Sequence, residues 1–125
     1  MTGATSLVCV VDDDPSVRRS IERLLRSEGY EVETHGDAAS FLDRDASRRC
    51  SCLVLDVRMP GMTGLELYDE LAENGAPPVV FVSGHGDIEM AVRAMKAGAV
   101  DFLSKPFESH ALIAAIAEAI ARGGA

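Results

Sequence analysis

Leu7-Val8-Cys9-Val10-Val11-Asp12-Asp13-Asp14-Pro15 is the stretch that decides the architecture. Five apolar residues rich in Val have the length of a strand whose two faces are both covered. The run stops at three aspartates, and Asp14-Pro15 has the form of a helix start. The carboxylate can cap, and proline has no N–H to leave unsatisfied. Beyond it Val17, Ile21, Leu24 and Leu25 share one helical face, while Arg18, Arg19, Glu22 and Arg26 are available to solvent. Gly29 stands where a helix C-terminal glycine belongs. A buried strand feeds an amphipathic helix.

Working outward, the same unit recurs. Apolar runs at residues 30–34 (more polar), 52–55, 79–82 and 100–103 predict four further strands. The segments between them have helical patterning. Residues 37–45 contribute Phe41 and Leu42, and residues 64–73 contribute Leu67 and Leu71. Asp87 caps a helix carrying Ala91, Ala94 and Met95, with Gly98 just past its end. Glu108 or Ser109 opens the last helix, which buries Leu112, Ile113, Ile116 and Ile120. Five β units alternating with five α units predict an α/β fold, a doubly wound (βα)5 five-stranded parallel sheet with helices on both faces. Strand order 2-1-3-4-5 is the favoured solution at this length, and ligands then collect at the carboxyl ends of the strands.

The chain has 125 residues, 47% of them hydrophobic, which suits one domain over residues 1–125 with one packed interior. Its formal net charge is -8, from 20 acidic and 12 basic residues, so its surface repels phosphate backbones and direct nucleic-acid contact is not expected. Cys9, Cys50 and Cys52 lack the spacing of a zinc site or a disulfide framework, and Cys9 reads as a small core residue. No apolar run approaches membrane-spanning length and no signal-like segment opens the chain, so no membrane contact and a cytoplasmic location are expected.

Polar residues end four of the strands. Asp12, Asp13 and Asp14 follow the first, Asp56 the third, Ser83-Gly84 the fourth and Lys105-Pro106 the fifth. Each has an ordinary reading alone, as a solvated turn, a helix cap or a surface lysine. Together, at strand ends that converge, they form a pocket of carboxylates, a hydroxyl and an ammonium. Two carboxylates about 4 Å apart repel by roughly 4 kcal/mol at an effective dielectric near 20, so the cluster must hold protons or a cation. Oxygen-only ligands with room for water favour Mg²⁺ over Zn²⁺. A magnesium ion beside a free carboxylate and a lysine suits phosphoryl transfer, with Asp56 as nucleophile. The metal and Lys105 would neutralise the phosphoryl oxygens, and Ser83 could donate to one of them.

These motifs resemble the signatures of response-regulator receiver domains. They are Val10-Val11-Asp12-Asp13-Asp14, Asp56-Val57-Arg58-Met59-Pro60-Gly61-Met62-Thr63-Gly64 and Lys105-Pro106-Phe107. Ser83-Gly84-His85-Gly86-Asp87 and the segment Ala91 to Phe102 resemble the FixJ-type subgroup. The resemblance spans essentially the whole chain and implies a flavodoxin-like fold. It implies that Asp56 accepts a phosphoryl group from a sensor histidine kinase, in a two-component system whose output is transcription. It further implies Mg²⁺ bound by Asp13, Asp56 and the backbone carbonyl of Arg58, with Asp12 acting through water. Lys105 would pair with the phosphoryl group across a cis bond to Pro106. Ser83 and Phe102 would be the switch pair, Phe102 standing where tyrosine is common. Arg58 and His85 occupy positions that tune dephosphorylation, and His85 reads equally well as a solvent-facing loop residue. The surface around Val92, Lys96, Val100 and Phe102 would support a phosphorylation-dependent homodimer. A separate C-terminal helix-turn-helix domain would contact DNA in a longer parent protein.

Three other readings fit less well. A magnesium phosphohydrolase would place an acid two residues after its nucleophile, where Asp56-Val57-Arg58 offers arginine. A receiver that is never phosphorylated usually lacks part of the set Asp12, Asp13, Asp56 and Lys105, all present here. A flavin-binding protein would want a phosphate-cradling loop after the first strand, where three aspartates would repel the cofactor. The expected activity is therefore that of a signalling domain and not of a turnover enzyme.

Overall fold

Three strands are buried along their whole length, and they set the frame on which everything else hangs. They are β1 (Leu7–Val11), β3 (Cys52–Asp56) and β4 (Val79–Ser83). The computed structural model describes residues 6–84 and 88–123. Around the three strands lie β2 (Glu31–His35) and β5 (Asp101–Ser104), with helices α1 (Pro15–Ser27), α2 (Ala38–Leu42), α3 (Gly64–Ala72), α4 (Ile88–Lys96) and α5 (Ser109–Gly123). The sheet order is β2-β1-β3-β4-β5, every pairing parallel. The register aligns Val11 with Leu55, Asp56 with Val82 and Ser83 with Ser104, which brings those strand ends onto one rim.

Alternate residues along each central strand serve opposite layers. Cys9, Val11, Leu53, Leu55 and Phe81 pack against Phe41 of α2, Leu65, Leu67 and Tyr68 of α3, and Ala94 of α4. Val8, Val10, Val54, Val80 and Val82 pack against Ile21 and Leu25 of α1 and Leu112, Ala115, Ile116 and Ala119 of α5. Each fully buried Val or Leu contributes about 1.5–3 kcal/mol, so the two layers hold the sheet far more firmly than any surface pair. Among the described residues no helix is long and apolar enough to cross a membrane.

The outer strands depart from the sequence pattern. β2 and β5 each begin one residue later than their apolar runs suggest. The Tyr30 N–H is spent on the carbonyl of Leu25 at 3.1 Å, closing α1; ahead of β5, Ala99 closes α4 on the carbonyl of Ala94 at 3.1 Å and the Val100 N–H reaches the Val79 carbonyl at 2.8 Å. Val100, expected on an outward surface, is only 8% exposed and packs with Leu112 and Ile116 under α5. It therefore leaves the candidate docking surface. Helix α2 stops at Leu42, three residues short of its pattern, and presents only Ala38 and Phe41 to the core. Leu42 consequently faces outward at 42% exposure, and on α4 Met95, expected in the core, is 45% exposed. The residues expected to cap and precede α4, Asp87 and His85, lie outside the described residues.

Candidate functional site

The acidic loop after β1 is locally self-organised. Asp14 caps α1, its carboxylate accepting from the N–H groups of Ser16 at 2.9 Å and Val17 at 3.4 Å, with Pro15 in the first turn. Asp12 Oδ1 accepts from the Asp14 N–H at 2.9 Å. Its carbonyl accepts from the Arg18 guanidinium at 2.8 Å, and its N–H donates to the carbonyl of His35 in β2 at 3.1 Å. Asp12 is thus fully buried, while Asp13 is exposed at the mouth. The helical pattern of α1 points Arg18 toward solvent. It turns back because the carbonyl at the end of β1 needs a donor.

Asp56 is the last residue of β3 and only 4% exposed. Its Oδ1 accepts from the Arg58 N–H at 3.3 Å. Gly64 opens α3 directly beneath it, and a methyl group there would sit 2.2 Å from the Asp56 carbonyl oxygen. The Gly64 N–H donates to Val57 at 2.9 Å, which fixes the loop that carries Arg58. Thr63 caps that helix through a reciprocal box with Glu66. Gly64 was legible only as a helix start, since the close approach is made by backbone eight residues away in sequence.

Lys105 enters from the loop after β5, where the Lys105–Pro106 peptide is cis as expected. Its N–H donates to the Ser83 carbonyl at 2.6 Å. Its ammonium donates to Asp12 Oδ2 at 2.7 Å and lies 3.6 Å from Asp56 Oδ2. Burial alone would lower the lysine, but the hydrogen bond and charge of Asp12, with the charge of Asp56, hold it above its ordinary value. Ser83 is fully buried at the end of β4. Phe102 is half-buried on β5, its ring 6.4 Å from that of Phe81. Arg58 is exposed on the loop beside Asp56.

Carboxylate oxygens of Asp12, Asp13 and Asp56 all lie within 4.8 Å of one another. Asp56 bears the electrostatic consequence. Burial first, then the charge of Asp12 and a hydrogen bond with Asp13, push it up from 3.8 to about 7, against the pull of Lys105 and the Arg58 N–H. A single ammonium does not balance three carboxylates. The donor set is all oxygen and fits a hard divalent cation. The sequence-predicted residues Asp12, Asp13, Asp56, Ser83 and Lys105 therefore share one rim. Val92 and Lys96 lie elsewhere, on the outer face of α4, and both are exposed.

A profile of the response regulator receiver domain family matches residues 8–117. Nodulation protein W of Bradyrhizobium diazoefficiens is 52% identical over 118 residues, covering 94% of this chain and 52% of that protein. The transcriptional regulatory protein FixJ of Azorhizobium caulinodans is 51% identical over 116 residues, covering 92% of this chain and 55% of that protein. The crystal structure of FixJ-N superposes with a TM-score of 0.87 at 43% identity, covering 94% of this chain and 95% of that one. The chain spans about half the length of the curated relatives it matches.

Proposed function

We propose a function that starts from membership: this chain belongs to the response regulator receiver domain family of two-component signalling proteins, and its Asp56 is the phosphoacceptor. One observation carries the reading. A buried carboxylate at the end of a central strand sits among two further acids and within 3.6 Å of a lysine ammonium. Asp56 Oδ attacks the phosphorus of a kinase phosphohistidine. A phosphorus–oxygen bond forms, the phosphorus–nitrogen bond breaks, and the imidazole leaves. Lys105 would shift from Asp12 toward the phosphoryl oxygens, and the Ser83 hydroxyl would donate to one of them.

Mg²⁺ is the cation that this oxygen set suits; Asp13, Asp56 and the Arg58 carbonyl would hold it, with Asp12 acting through water. When bound it supplies positive charge opposite the phosphoryl oxygens. Arg58 stands beside the acceptor, and Arg58 and His85 would tune how readily water reaches the acyl phosphate. The phosphoryl group ends on the protein itself, so the chain acts as a signalling domain.

The output surface is the outer face of α4. Ile88, Val92 and Met95 are 80%, 46% and 45% exposed and fall at helical spacing on that face, with Lys96 beside them. Phosphorylation adds about -1.5 to -2 charges. The Ser83 hydroxyl turning inward then vacates space for Phe102, and the α4–β5 face repacks to favour a homodimer. In this reading residues 1–125 are one receiver unit, cytoplasmic, whose parent regulates transcription through a separate helix-turn-helix domain. The test is intact mass after incubation with Mg²⁺ and acetyl phosphate. Wild type gains one phosphoryl group and Asp56→Asn gains none. Equal labelling of both, or of neither, removes Asp56 from the role.

A further inference from the structure

On the face of the sheet covered by α2 and α3, a cysteine in the middle of β1 and one just before β3 share a layer. Cys9 is fully buried in β1, in the layer that also holds Leu53 and Phe41. Cys50 lies two residues before β3 and is half-buried against the same layer. The Ser51 N–H donates to the Leu7 carbonyl at 2.9 Å, which draws the segment before β3 against the start of β1. Cys50 packs against the layer that holds Cys9, and the two thiols sit close enough to influence each other's ionisation. Cys52 is fully buried in the layer on the other side of the sheet, with Val54 and Ile116. Strand alternation therefore selects one pair among the three cysteines.

The pair has a reactive end and a protected end. Cys50 lines an open cavity of about 1260 Å³ that Arg44, Arg48 and Arg49 also line, while Cys9 is sealed behind it. The Cys9 thiol donating to Cys50, helped by the nearby Arg44 charge, holds Cys50 below the usual thiol value against the opposing effect of burial. Cys9 is pushed well up, by the same hydrogen bond and then by burial. The neutral Cys50 thiol donates to the Cys52 carbonyl at 3.0 Å. On ionisation that bond is given up and Cys9 remains the donor.

We propose that Cys50 and Cys9 form a thiol–disulfide pair, in which Cys50 meets a peroxide through the arginine-lined cavity and Cys9 resolves the product. The Cys50 thiolate attacks one peroxide oxygen and the O–O bond breaks. Cys50 becomes a sulfenic acid, and the departing hydroxide takes a proton to leave as water. The sulfur of Cys9 then bonds to that of Cys50. The S–O bond breaks, and the hydroxyl leaves with the Cys9 proton as a second water. Two thiols and one hydrogen peroxide give one disulfide and two waters. The bond pins the loop between α2 and β3 onto β1 and requires nothing of the phosphoacceptor reading.

The experiment is hydrogen peroxide treatment of the intact chain, then mass measurement and peptide mapping without reductant. Wild type and Cys52→Ala lose about 2 Da, the two thiol hydrogens, and yield a Cys9–Cys50 linked peptide that dithiothreitol separates. Cys50→Ala shows no loss, and Cys9→Ala accumulates oxygen on Cys50. The linked peptide from wild type decides the matter even if a variant fails to fold. A bond to Cys52, a bond between chains, or three unmodified thiols under conditions that oxidise glutathione would overturn the proposal.

Discussion

Gly64 shows how much a site can rest on a residue with no side chain. Its Cα passes so close beneath β3 that a methyl group would meet the Asp56 carbonyl at 2.2 Å. The neighbour is central-strand backbone, which cannot give way cheaply. We expect Gly64→Ala to cost about 3 kcal/mol, at the upper end of overpacking substitutions, read as a lower urea midpoint. Phosphorylation by acetyl phosphate should slow in the same variant, because the displaced atoms belong to the acceptor. A wild-type midpoint would mean that the loop relaxes without resistance. The acids and the lysine of this rim were legible in the sequence because strand-terminal polar residues interrupt apolar runs. Gly64 and Arg18 were not, because each acts on a backbone carbonyl, and the patterning of side chains carries no record of where carbonyls end up.

Among the elements, β2 is the one held by charge. Glu33 bridges it to the loop after α2, with Arg44 Nε at 2.5 Å and His35 Nε2 at 2.6 Å. The Arg44 hydrogen bond, followed by that of His35, holds the Glu33 carboxyl down at about 2 against burial, from an ordinary 4.5. Its folded-state value lies below its unfolded one. The stability it contributes is therefore full above about 4.5 and is lost as pH falls through about 2. Urea midpoints of wild type and Glu33→Gln should differ most at neutral pH and converge toward pH 2. A constant gap across that range would show that the bridge does not act through charge. The short α2 and the late starts of β2 and β5 escaped the sequence pattern for a related reason. Edge elements are fixed by turns and hydrogen bonds, whereas β1, β3 and β4 are fixed by burial, which apolar runs report directly.

For the whole molecule, the exposed stripe on α4 and the rim around Asp56 are separated by β4 and β5. Their communication is a property of the packed unit and not of either site. We expect beryllofluoride with Mg²⁺ to raise the sedimentation coefficient of wild type toward that of a dimer. Val92→Asp should stay monomeric while still taking up one phosphoryl group from acetyl phosphate. Equal sedimentation of wild type with and without beryllofluoride would remove the dimer from the proposed function. The strand order carries a further consequence for how this unit comes into being. β1 lies between β2 and β3, and the ammonium that answers Asp12 arrives only with residue 105. A ribosome releasing the chain in order exposes the aspartates tens of residues before their lysine counter-charge is made. The nascent amino-terminal half thus carries the acid cluster on an incomplete sheet before its lysine partner exists, and its assembly is completed from the far end.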